Sequence, residues 1–81
     1  MANLNKVFLM GRLTADPELR YTQTGTAVAD IRLAINRNYK TQSGEAREDT
    51  CFVDVVLWAR QAEIVKKYVT KGRPIFIEGR L

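Results

Sequence analysis

The chain has no histidine and a single cysteine, Cys51. Without an imidazole it cannot assemble a Ser-His or Cys-His nucleophile, and the ordinary Cys/His zinc sites lack their donors. One cysteine forms no internal disulfide and suits a reducing compartment. With no histidine to activate its thiol, Cys51 is expected to be a small apolar filler. The glycines at 11, 25, 44, 72 and 79 are dispersed and spell no phosphate loop. Asp16 and Glu18 flank Pro17, a pattern that shapes a turn rather than performs acid–base chemistry. No apolar run approaches the roughly 18 residues of a membrane span. The segment Met1 to Lys6 lacks the long apolar core of a signal peptide, so a cytoplasmic location is expected. These absences predict no enzyme, no metal and no cofactor.

What is present is a small globular composition: 81 residues, 46% hydrophobic and 27% charged. A single domain of this size buries about 60–65% of its unfolded surface. The formal charge is +4, and it is unevenly placed. Residues 1–59 hold seven Lys/Arg and seven Asp/Glu, which cancel. The whole excess lies in residues 60–81, where Arg60, Lys66, Lys67, Lys71, Arg73 and Arg80 face only Glu63 and Glu78. Such a balance favours polyanions.

Alternation marks the strands. From Lys6 to Leu13, Val7, Leu9, Gly11 and Leu13 share one face, and Phe8, Met10 and Arg12 the other. Both faces are largely apolar, which predicts cover on both sides, with Phe8 and Met10 at a subunit interface. Leu19-Arg20-Tyr21 is expected to pair briefly between turns at Ala15–Glu18 and Thr24–Thr26, with Tyr21 structural. From Ala27 to Arg37, Ala29, Ile31, Leu33 and Ile35 form the core face, and Asp30, Arg32, Ala34 and Asn36 the solvent face. Residues 38–49 are polar around Gly44 and read as a hairpin arm or long loop. Arg60 to Lys71 is the one good helix, with Ala62, Val65, Tyr68 and Val69 at helical spacing and Gly72 as its stop. Its Lys66 and Lys67 read as a solvated face. Pro74 to Leu81 alternates again, with Phe76 expected to be structural.

The third long strand, Thr50 to Ala59, carries its large rings on the unexpected side. Cys51, Val53, Val55, Leu57 and Ala59 make a small, continuous apolar face. Thr50, Phe52, Asp54, Val56 and Trp58 make the other, with a carboxylate midway between two rings. An ionised Asp is rarely buried without a partner, so this face is predicted to be wet. Exposed rings on a sheet, in a basic protein, are what stacking against unpaired bases requires. Six positions at about 3.3 Å each separate the rings by about 20 Å, which implies a path rather than a pocket. Tyr39, flanked by Arg37, Asn38 and Lys40, would combine a ring with nearby cations.

Three long strands, one helix and one more strand fit an all-β OB-fold. That fold is a five-stranded Greek-key barrel with one α-helix between strands 3 and 4. Because alternation runs to Leu81, the chain is expected to stop before the barrel's final strand, as a single domain over residues 1–81.

At this level the sequence becomes specific. Asn5 to Leu13, Asp16 to Tyr21 and Gly25 to Ala34 strongly resemble the bacterial single-stranded DNA-binding protein family. The likeness continues through Val55-Val56-Leu57-Trp58, Tyr68 to Gly72 and Ile77 to Leu81. The resemblance implies a homotetramer-forming OB domain that wraps single-stranded DNA without sequence preference in replication, recombination and repair, in the cytoplasm at the nucleoid. It implies stacking at Tyr39, Phe52 and Trp58, with a fourth station beyond Leu81. It also implies phosphate contacts at Lys6, Arg60 and Lys71, with Arg37 and Lys40 in the basic segment around Tyr39. A tail with an acidic tip, which recruits replication and repair proteins, is absent from this chain. Where many relatives carry a basic residue in the third strand, this chain has Asp54. Two other readings share the fold: a primosomal-type dimeric OB protein for replication restart, and an OB protein-interaction module without DNA affinity.

Overall fold

The computed structural model describes residues 2–81. Its elements are β1 (Val7–Leu13), β2 (Glu18–Tyr21), β3 (Ala27–Lys40), β4 (Ala46–Trp58), α1 (Ala59–Tyr68) and β5 (Pro74–Gly79). The five strands form one antiparallel sheet in the order β2-β3-β1-β5, with β4 on β3. The sheet is not closed. The helix follows the third long strand, as expected, and is preceded by four strands because Glu18–Tyr21 pairs as a strand of its own.

The main core cluster is small. Leu13, Ala27, Ala29, Ile31, Leu33 and Leu57 from the strands meet Ala62 and Val65 from the helix. The helix packs chiefly on β3, and the Lys66 Nζ ties it to the β1–β2 turn by donating to the Pro17 carbonyl at 3.0 Å. Leu9, Val55 and Ile77 are only half-buried, because β4 and β5 face one another across an open apolar trough. Gly11 lets β1 cross β3 closely. A Cβ there would lie 2.6 Å from the Ala34 carbonyl oxygen and 2.8 Å from Ile35 Cγ1, so no larger residue fits without displacing backbone.

Four expectations need correction. Ala34, assigned to the solvent face, is buried; it sits mid-sheet, in register between Arg12 on β1 and Phe52 on β4. Cys51 has core parity yet is exposed, because it lies where β4 has already left the core. The helix ends at Tyr68, three residues early, and Tyr68 is exposed. Tertiary bonds take over there: the Lys71 amide donates to Asp16 Oδ1 at 2.8 Å and the Gly72 amide to the Leu13 carbonyl at 2.8 Å. Tyr21 and Phe76, read as structural, also stand exposed in the single chain.

Of the two readings of residues 38–49, the hairpin arm holds, and they are mostly strand. β3 and β4 form a continuous ladder from Val28↔Trp58 to Lys40↔Ala46. At about 3.3 Å per residue, the 14 residues of β3 span about 46 Å. This arm explains a radius of gyration of 15.8 Å, against about 12 Å for a compact chain of this length.

Two turns of nearly the same sequence cap the two hairpins. In Thr22-Gln23-Thr24-Gly25-Thr26, the Thr22 carbonyl accepts the Gly25 amide at 2.9 Å and the Thr22 hydroxyl accepts the Thr26 amide at 3.1 Å. In Thr41-Gln42-Ser43-Gly44-Glu45, Thr41 accepts the Gly44 and Glu45 amides in the same way, at 3.0 and 3.2 Å. Gly25 and Gly44 have φ of 88° and 85°, a region that favours glycine.

Candidate nucleic-acid interface

Pairing register decides which side chains can act together. Because side chains alternate, Phe52, Asp54, Val56 and Trp58 of β4 share a face with Ala34, Arg32, Asp30 and Val28 of β3. On that face Phe52 is 54% and Trp58 56% exposed. The sheet therefore presents two accessible rings on one surface, as the alternation predicts, with the exposed Asp54 between them.

Tyr39 is placed differently from the expectation. It lies inside β3 rather than in a loop, opposite Arg47, and has the parity of Arg37 and Ile35. It is thus on the other face of the ladder from Phe52 and Trp58. Polarity suggested a loop here, but the polar groups satisfy one another across the strands. The Arg37 Nη2–H donates to Asp49 Oδ2 at 2.8 Å, and the Thr50 hydroxyl donates to Asn36 Oδ1 at 3.0 Å. Cross-strand pairs of this kind hold a ladder with no core beneath it.

Each expected cation is exposed, and they do not form one cluster. Arg60 lies in the first turn of α1, two residues from Trp58. Between them Ala59 adopts φ 53°, so a single left-handed residue turns the strand into the helix. Lys40 is at the tip of the ladder and Lys71 beside the Asp16 turn. Lys6 pairs with Glu78 and stands over the Phe8 ring at 5.6 Å. Phe8 lies 6.2 Å from Phe76, and with Met10 they make an exposed apolar patch on β1 and β5.

Arg32 was not among the expected site residues. Its guanidinium stands 5.0 Å from the Phe52 ring centroid and 3.8 Å from Asp54. Arg37 is arranged in the same way, 4.9 Å from the Tyr39 centroid and paired with Asp49. Both arginines sit directly opposite their aspartates in register. Sequence alternation alone hides this, because it shows neighbours along a strand and not across one. Arg20 pairs with Asp30 at 2.9 Å; the hydrogen bond, and then the charge, push its pKa further above the usual arginine value. It keeps its charge at any ordinary pH.

Comparison with known proteins gives a consistent answer. The model of the "Single-strand binding protein family" matches residues 4–81. The single-stranded DNA-binding protein of Helicobacter hepaticus is 52% identical over 77 residues, which cover 95% of this chain and 45% of that protein. Single-stranded DNA-binding protein A of Bacillus subtilis is 53% identical over 78 residues, covering 96% of this chain and 44% of that protein. The chain thus spans somewhat less than half the length of these relatives. Among solved structures, a deletion mutant of the single-stranded DNA binding protein from Thermus aquaticus superposes with a TM-score of 0.89 at 46% identity, over 96% of this chain and 38% of that one. The Plasmodium falciparum SSB complex with ssDNA superposes with a TM-score of 0.93 at 27% identity, over 99% of this chain and 72% of that one. The open five-stranded sheet with its one helix is the OB-fold of these proteins, and the chain belongs to the single-strand binding protein family.

Proposed function

We propose that this protein binds single-stranded DNA without sequence preference, protecting it during replication, recombination and repair. The observation that carries the reading is the pair of exposed rings, Phe52 and Trp58, on one sheet face of a protein with net charge +4. Every base has a π-face, so stacking tolerates any sequence, and each stack is worth about 1–3 kcal/mol. Phe52 and Trp58 would take bases on one face of the ladder and Tyr39 on the other, so the strand would pass around the arm. Lys6, Arg37, Lys40, Arg60 and Lys71 would meet phosphates along the way, releasing counterions. The reading is of a binding protein and not of an enzyme, acting in the cytoplasm at the nucleoid.

The exposed Phe8, Met10 and Phe76 support self-association through the β1–β5 surface, in a homotetramer. Recruitment of replication and repair proteins would fall to a tail outside these 81 residues.

Trp58 is the only tryptophan, so its fluorescence reports the site directly. Titration with oligo-dT is expected to quench it strongly, and binding is expected to weaken as salt rises. A flat titration, with no salt-sensitive binding, overturns the reading in favour of a protein-interaction module. Sedimentation equilibrium checks the assembly: a dimer in place of a tetramer favours the primosomal-type reading.

A further inference from the structure

We propose that Arg32 is a nucleic-acid-binding residue held in reserve, and that Asp54 is the group that holds it. In the free protein the Arg32 guanidinium covers a face of the Phe52 ring and leans on the Asp54 carboxylate. Single-stranded DNA takes the guanidinium from the carboxylate to a phosphate and places a base on the ring. This rests on the reading of the protein as a single-stranded DNA binder and says how one stacking station is opened.

The geometry carries the exchange. At 5.0 Å from the centroid, the guanidinium lies within the roughly 6 Å of a cation–π contact, over one face of the ring. While the guanidinium covers that face, a base cannot stack on it. The tether is loose: Arg32 Nε is 3.8 Å from Asp54 Oδ1, and the two side chains are 59% and 85% exposed. An exposed pair at that distance is worth little in water. A phosphate offers the guanidinium two acceptor oxygens for bidentate pairing, as a carboxylate does, with a counterion released in addition. The carboxylate therefore parks the arginine beside the ring without competing strongly for it.

The device occurs twice. Arg37 stands over Tyr39 and opposite Asp49, on the other face of the ladder. Among the described residues no cation stands over Trp58, which makes it the uncovered station. Asp54, a negative charge lying where a polyanion would pass, thereby acquires a reason to be there. Neutralised by Arg32 in the free state, it sets where the arginine waits and leaves the cation for the DNA.

The test uses the whole protein and oligo-dT, with Trp58 fluorescence read across a salt series. Arg32→Gln is expected to lower the slope of log affinity against log salt by about 0.7, the value of one single-strand phosphate contact, and affinity about fivefold at 0.1 M salt. Arg32→Lys, which keeps a charge, is expected to retain the slope. In NMR spectra the Arg32 side-chain protons are expected to carry a ring-current shift from Phe52 in the free protein and to lose it in the saturated complex. An Arg32→Gln slope equal to that of the unsubstituted protein, or a ring-current shift retained in the complex, overturns the exchange while the binding reading stands. If the unsubstituted protein itself fails to bind, both fall together.

Discussion

At its base, the β3–β4 ladder runs from Val28 to Leu33 against Val53 to Trp58, with Val28 and Leu33 fully buried. At its tip, the same ladder runs from Asn36 to Lys40 against Ala46 to Thr50, and every residue is exposed. The backbone hydrogen bonds are of one kind throughout. What changes is everything around them. The base is held by apolar burial, worth about 1.5–3 kcal/mol for a residue such as Leu33. The tip is held by cross-strand pairs such as Arg37–Asp49 and Asn36–Thr50, each worth about 0.2–1 kcal/mol. One strand pair thus joins a structural anchor to an arm that is expected to open locally while the domain stays folded.

The largest test of that contrast is Leu33→Ala. It removes a side chain with no exposed surface from the centre of the core and should cost about 2–5 kcal/mol. Denaturant unfolding followed by circular dichroism measures it. A cost near zero would mean that the base is no better anchored than the tip.

Second in size is the effect on binding. Trp58→Ala, at the base, and Tyr39→Ala, at the tip, should each weaken oligo-dT binding by about 1–3 kcal/mol if both rings stack. Nucleotide fluorescence anisotropy reads both without depending on tryptophan. The melts should separate them: Tyr39 has no core beneath it, so its loss should leave global stability within about 0.5 kcal/mol. A Tyr39→Ala protein that binds like the unsubstituted one would remove the tip from the DNA path.

The twin turns sharpen the contrast further, because they apply equal strain to unequal settings. Gly25→Ala and Gly44→Ala each force alanine into φ near 85°, at a cost of about 1 kcal/mol. Neither methyl would meet a neighbour within 4 Å, so the strain is conformational alone. Gly25 lies two residues before the buried Ala27, and its substitution should lower the global midpoint. Gly44 lies at the tip, and its substitution should instead speed amide exchange across Tyr39 to Arg47 with the midpoint almost unmoved. Equal shifts in the two midpoints would show that the arm unfolds with the body.

Much of this was legible in the chain. Ala29, Ile31 and Leu33 spelled the core face, and Phe52 and Trp58 the accessible one, because period-2 alternation reports faces directly. The family-like segments supplied the OB arrangement. The tip was only half legible, as a hairpin arm or a long loop, since Asn38 to Asp49 contains few apolar residues and its pairing depends on polar partners on the opposite strand. Tyr39 was accordingly assigned to a loop, and its face could not be deduced until the register was known. Arg32 escaped for the same reason: its two neighbours, Phe52 and Asp54, are twenty or more positions away in sequence and adjacent only across the ladder. The early end of the helix depended on Asp16 and Leu13, which reach Lys71 and Gly72 from the other end of the chain.

The smallest effect lies at the base, where anchor and site meet. Ala59, with φ 53°, is the one non-glycine residue in the left-handed region among those described. It joins the strand that presents Trp58 to the helix turn that presents Arg60. Left-handed backbone costs an L-residue about 1–2 kcal/mol, whereas glycine enters it freely but loses more entropy on folding, about 0.4–1 kcal/mol. The difference predicts that Ala59→Gly stabilises the protein by about 0.5 kcal/mol, read as a small rise in the denaturant midpoint with an unchanged m-value. Oligo-dT quenching of Trp58 should be the same, because the direction of the chain is set by the packing of Leu57 and Ala62 on either side of the junction, both buried. A stabilised variant with weakened quenching would show that the left-handed alanine, and not the core, aims the tryptophan.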